Sequence, residues 1–85
     1  MKEIREKIDR IDIQMLDLYT QRMALAKEIG EEKKRLGLDI TNVERDKEVL
    51  SRAENTVPPA LQKYAVRLYQ TVLETSKAYQ NEDFV

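Results

Sequence analysis

Residues 2–36 read KEIREKIDRIDIQMLDLYTQRMALAKEIGEEKKRL, and the spacing inside that stretch decides the fold. Ile4, Ile8, Ile11, Met15 and Leu18 follow at intervals of four and three, and Leu25 and Ile29 resume the series after one missing slot. That is the period of a helix with one apolar face. No proline interrupts it, and good helix formers fill the remaining positions. Lys33, Lys34 and Arg35 stand where the negative end of the helix dipole favours cations, and Gly37 follows as a left-handed cap. The spacing predicts a first helix over residues 2–36, about 50 Å long.

Beyond it lies a short connection, Gly37 to Ile40. Thr41-Asn42-Val43-Glu44 reads as a capping box with Thr41 as the cap. A second helix is expected to about Asn55, burying Val43, Val49, Leu50 and Ala53. Thr56-Val57-Pro58-Pro59 is the one clear break, and Pro59 suits the first turn of a third helix. That helix carries Leu61, Ala65, Leu68, Val72 and Tyr79 on one stripe, with Tyr64, Tyr69 and Leu73 beside it. The tail, Asn81 to Val85, is expected to fray. The reading is a single all-α domain over residues 1–85, with three helices of which one is very long.

Size adds a consequence. A globule of 85 residues has a radius of gyration of about 12 Å. A helix of about 50 Å overshoots such a body, and its apolar stripe runs nearly its whole length. A second chain covering the overhang, in an intertwined helical homodimer, is the simplest solution.

Composition narrows the chemistry. There is no cysteine and no histidine, so thiol nucleophiles, imidazole bases and Cys/His metal sites are not expected. Two glycines, Gly30 and Gly37, are too few for a dinucleotide fingerprint or a P-loop. A net charge of -1, from 15 basic and 16 acidic residues, gives no whole-chain attraction to nucleic acid or anionic membrane. The N-terminus opens directly into a charged periodic pattern and no run is long enough to span a membrane, so a cytoplasmic home is expected.

Several polar residues fit a plain bundle poorly. The missing slot in the first stripe holds Arg22. A guanidinium on an apolar seam is costly unless an anion meets it, although a buried salt bridge or an arginine reaching the edge also fits. Lys33 lies eleven residues on, on the same face and about 16 Å along the axis, so the two side chains can converge on a small anion. By itself, Lys33 is read first as a solvated lysine near a helix end, where the dipole favours it. Arg5 borders the stripe about 25 Å from Arg22, so one small ligand cannot touch both on one chain. In an antiparallel pairing Arg5 of one chain approaches Arg22 of the other; alternatively it is a surface arginine beside Asp9. Ser76 falls on the third helix's core stripe and Gln80 follows one turn later, lining a cavity or marking the fraying end. Asn42 and Asp46, with Arg45 between them, sit where a helix start favours such residues anyway. Together they describe a cationic pocket for a small polyanion that carries a hydroxyl.

In the order and spacing of these segments the chain resembles the all-helical chorismate mutase family from about Ile4 to Gln80. The residues that carry the resemblance are Arg5-Glu6-Lys7-Ile8-Asp9 with Ile11-Asp12, Leu18 to Arg22, Leu25 to Gly30, and Lys33. Glu44-Arg45-Asp46 with Val49-Leu50, and Ser76 to Gln80, complete the set. The resemblance implies a homodimeric isomerase, free of cofactor and metal, that rearranges chorismate to prephenate on the way to phenylalanine and tyrosine. It implies that Arg22, with Arg5 of the other subunit, clamps the substrate's two carboxylates. Lys33 and Gln80 would donate to the ether oxygen, Asp46 would accept from the ring hydroxyl with Asn42 nearby, and Arg45 and Ser76 would complete the pocket. The chain departs from the family at Asp46, where Glu is usual, and at Asn42, where Asp is frequent. The chain is too short to hold a fused dehydrogenase or dehydratase, so one activity is expected. Two alternatives stand beside this reading: an isochorismate pyruvate lyase on the same fold, and a non-catalytic helical dimerisation or regulatory module. Arg22 in the seam speaks against the second, because a pure coiled coil prefers an apolar residue there.

Overall fold

Thirty-five residues, Lys2–Leu36, form the first helix, α1, without interruption. Gly37 ends it at φ 70° and ψ 25°, the left-handed conformation that a side chain would oppose. The amide of Leu38 donates to Lys33 O at 2.8 Å and that of Gly37 to Lys34 O at 3.2 Å, the paired bonds of a Schellman cap. The structure, a computed structural model, describes residues 1–82.

α2 spans Val43–Thr56 and α3 spans Gln62–Asn81. The cap of α2 differs from the expectation. Asn42, not Thr41, is the N-cap: its side chain accepts from the Arg45 amide at 3.1 Å. Thr41 instead turns its own amide to Asp39 Oδ1 at 3.2 Å. The residue three past the true cap is Arg45, so the reciprocal reach by Glu44 has no place. Val57 is extended because Pro58 follows it, which stops α2. Pro59–Leu61 then form a single 3-10 turn that leads into α3. Asn81 is still helical, and the part of the expected fraying that concerns residues 83–85 lies outside the described residues.

α3 is the central element, packed against both α1 and α2. Where the helices meet, the buried residues are small: Ala26 and Gly30 on α1, Val49 and Ala53 on α2, Ser76 on α3. Small residues let backbones approach closely. A Cβ added to Gly30 would stand 2.9 Å from Gln80 Cγ and 3.0 Å from Gln80 Cβ, so no other residue fits there without displacement. The Tyr19 hydroxyl donates to Thr75 Oγ1 at 2.6 Å, tying α1 to α3 further along.

The core is smaller than the sequence pattern suggests. Val43, expected to be buried, is exposed, and Leu50 is half-buried. Of the stripe expected on the third helix, Leu61, which falls in the 3-10 turn, and Leu68 and Tyr79 of α3 are also exposed. The first half of α1 extends past the other helices: Ile4, Ile8, Ile11, Met15 and Leu18 all remain at least half exposed. The molecule measures 51 × 25 × 16 Å with a radius of gyration of 15.5 Å, well above the value of about 12 Å for a globule of this length. Among the described residues no helix is long and apolar enough to cross a membrane.

Candidate functional site

A cavity of about 280 Å³ opens where the second half of α1, the start of α2 and the end of α3 come together. Its apolar wall includes Leu25 and Ile29 of α1, Val49 of α2 and Leu73 of α3. Its polar lining includes Arg22, Lys33, Asn42, Arg45, Asp46, Ser76 and Gln80. Every site residue expected from the sequence is there except Arg5. That arginine sits in the first turn of α1, seventeen residues before Arg22 and about 25 Å away along the axis.

Each polar group is held by a contact its helix dictates. Arg22, half-buried on α1, donates from Nη1 to Ser76 Oγ at 2.9 Å. Ser76, buried on α3, donates its hydroxyl hydrogen to Val72 O at 2.7 Å, so its oxygen is free to accept from the guanidinium. Lys33 donates to Ile40 O at 2.8 Å, which folds the α1–α2 connection over the cavity's end. An ammonium has three donors, so that bond leaves capacity for a ligand. Gln80 Nε2 donates to Ala26 O at 2.8 Å, beside Gly30. Asn42 spends its carbonyl oxygen on the cap, which leaves its amide protons to donate. Arg45 reaches along α2 to Glu48 at 3.0 Å, an exposed pair worth little that a ligand anion could replace.

The sequence pattern singles out no role for Lys77, yet it also lines the cavity. Its Nζ meets Asp46 Oδ2 at 2.6 Å across the α2–α3 contact. A signal is present in the sequence: Leu73, Lys77 and Gln80 are spaced by four and three and share a face. The apolar wall is hidden for a different reason, because a leucine facing a cavity has the same period as one facing a core.

The lining therefore carries four cations, Arg22, Lys33, Arg45 and Lys77, and one acid, Asp46. The excess of positive charge in a partly enclosed apolar site favours a small anion. Donors on three helices fix its orientation. Nothing in the set is a strong nucleophile; the site can bind, orient and stabilise developing negative charge.

Comparison with known proteins bears on what that anion is. The family model described as chorismate mutase type II matches residues 4–81. A chorismate mutase of Methanocaldococcus jannaschii is 34% identical over 87 residues, covering 96% of this chain and 85% of that protein. A bifunctional chorismate mutase/prephenate dehydratase of Aquifex aeolicus is 44% identical over 52 residues, which is 61% of this chain and 14% of that enzyme. No solved structure gives a significant match.

Proposed function

The chain belongs to the chorismate mutase type II family, whose activity is an isomerisation, and we propose that it rearranges chorismate to prephenate in the cavity between α1, α2 and α3. The observation that carries the assignment of the site is the convergence of Arg22, Lys33, Asn42, Arg45, Asp46, Ser76 and Gln80 on one cavity from three helices.

The reaction is an intramolecular [3,3] shift. It needs no nucleophile, metal, cofactor or proton transfer, only the compact reactive conformer and stabilisation of charge as the C–O bond breaks. Arg22 clamps one carboxylate with its planar fork, and Ser76 sets the angle of that fork. Arg45 leaves Glu48 to meet the substrate's negative charge. Lys33 and Gln80 donate to the ether oxygen, which becomes more negative toward the transition state, so they bind the transition state more tightly than the substrate. Asp46 accepts from the ring hydroxyl, with Asn42 donating nearby. Leu25, Ile29 and Val49 form an apolar wall, and a substrate packed against it displaces water there, which strengthens each of these contacts.

The second carboxylate falls to Arg5 of a second chain. The support is the first half of α1, whose Ile4, Ile8, Ile11 and Ile13 all remain at least half exposed. An antiparallel dimer built on that stripe covers it and brings each Arg5 toward the other chain's Arg22.

The test is loss of chorismate absorbance with purified protein, with the product identified by acid conversion to phenylpyruvate. Lys33→Ala should lower kcat by a factor of about 100 to 1,000, the usual cost of one transition-state donor, with the helical content unchanged. Near-normal turnover would remove Lys33 from the mechanism. Pyruvate and salicylate from isochorismate, with no prephenate from chorismate, would replace the mutase by the lyase.

A further inference from the structure

Four ion pairs form among the described residues, and three are alike. Arg35–Glu32, Arg45–Glu48 and Lys47–Glu44 each join residues three apart on one helix, with side chains more than half exposed. Lys77–Asp46 differs in every respect. It bridges α3 to α2, its Nζ–Oδ2 distance is 2.6 Å, and its side chains are 33% and 23% exposed. It lies in the lining of the cavity rather than on an outer face.

That position raises an electrostatic question. The cavity is built to take an anion, yet Asp46 places a carboxylate in its wall. Chorismate carries two carboxylates, and a third in the same partly enclosed space opposes its entry. Lys77 removes the conflict. Its ammonium sits against Oδ2, and among the described residues no other hydrogen bond engages the Asp46 carboxylate. Oδ1 is left to accept from a neutral donor such as a hydroxyl.

We propose that Lys77 is a positioning residue for the reaction: through its bridge to Asp46 it cancels the acid's charge toward the dianionic substrate and aims the remaining oxygen at the ring hydroxyl. The proposal rests on the cavity being the catalytic site. It makes Lys77 a determinant of substrate affinity, with little part in the chemical step, because the charge it offsets is the same in substrate and transition state. It also separates two roles the pair could have. A bridge that merely joined α2 to α3 would affect stability. A bridge that tunes Asp46 matters only while Asp46 carries its charge.

The experiment is a double-mutant cycle on the intact protein, read by steady-state kinetics with chorismate and by thermal unfolding. The variants are Lys77→Met, which keeps the aliphatic stem, Lys77→Arg, Asp46→Asn, and Lys77→Met with Asp46→Asn. Lys77→Met should raise KM about tenfold with kcat within about a factor of two, and Lys77→Arg should restore most of the loss. In the Asp46→Asn background, Lys77→Met should change KM by no more than about a factor of three, because no charge remains to be offset. Full multiplication of the two single effects would overturn the proposal, as would a Lys77→Met protein with lowered melting temperature and wild-type KM. Arg22→Ala, measured alongside, separates the two levels of failure. Unaltered kinetics in Arg22→Ala would overturn the site itself; impaired kinetics there with a multiplicative cycle would overturn the role of Lys77 alone.

Discussion

Gln80 lines the cavity, yet its placement depends on Gly30, which lies outside that lining. Its amide is placed by Ala26 O on one side and by Gly30 beneath it. Gly30→Ala would gain about 1 kcal/mol of helix propensity. It would also drive a methyl to within 2.9 Å of Gln80 Cγ, and overpacking of that kind costs about 1–3 kcal/mol. The nearest neighbours include Gln80 Cβ at 3.0 Å, which is anchored to the α3 backbone, so the side chain cannot swing aside without cost. The steric term wins, and Gln80 leaves its bond to Ala26. Gly30→Ala is therefore expected to lower kcat at least tenfold while the melting temperature falls by only a few degrees; intact kcat would show that Gln80 is not a donor in the reaction. At this scale the sequence was legible wherever a polar residue broke an apolar period, as at Arg22 and Ser76. It was silent on Lys77 because a lysine on a helix surface is ordinary, and only the distance to Asp46 across two helices makes it otherwise.

At the scale of elements the caps set what reaches the cavity. Gly37 turns the chain so that Ile40 comes under Lys33, and Asn42 starts α2 so that Arg45 and Asp46 fall in its first turn. A Cβ added to Gly37 would meet no heavy atom within 4 Å, so replacing this glycine costs backbone strain alone. Gly37→Ala should destabilise the fold by about 1–2 kcal/mol, a fall of roughly 4–8 °C per kcal/mol in a domain of this size. A melting temperature equal to wild type would mean that the Schellman cap does not limit stability. The three helices and both breaks were readable from period, proline and glycine. The choice of Asn42 over Thr41 was not, since both residue types cap well and adjacent candidates differ by one residue of register. Nor was the exposure of Val43 and Leu68, because an apolar period says which face is covered without saying by which chain.

The whole molecule is longer than its own contacts justify. It is 51 Å in its longest dimension, and along the first half of α1 an apolar stripe of isoleucines stays at least half exposed. Exposed contiguous apolar surface of this kind marks an association face. The proposed dimer covers that face and completes the site in one step, since the helix that needs covering also carries the missing Arg5. The cavity and the dimer are thus a single claim, and subunit exchange tests it most directly. Arg5→Ala and Arg22→Ala chains, each purified and nearly inactive alone, are to be mixed in equal amounts, exchanged through mild denaturant, and assayed with chorismate after mass spectrometry has verified heterodimers. In a shared-site dimer, half the dimers are mixed and each mixed dimer holds one intact site, so about a quarter of wild-type activity should return. Heterodimers that form and remain as inactive as the parents would contradict the assembly of the site from two chains.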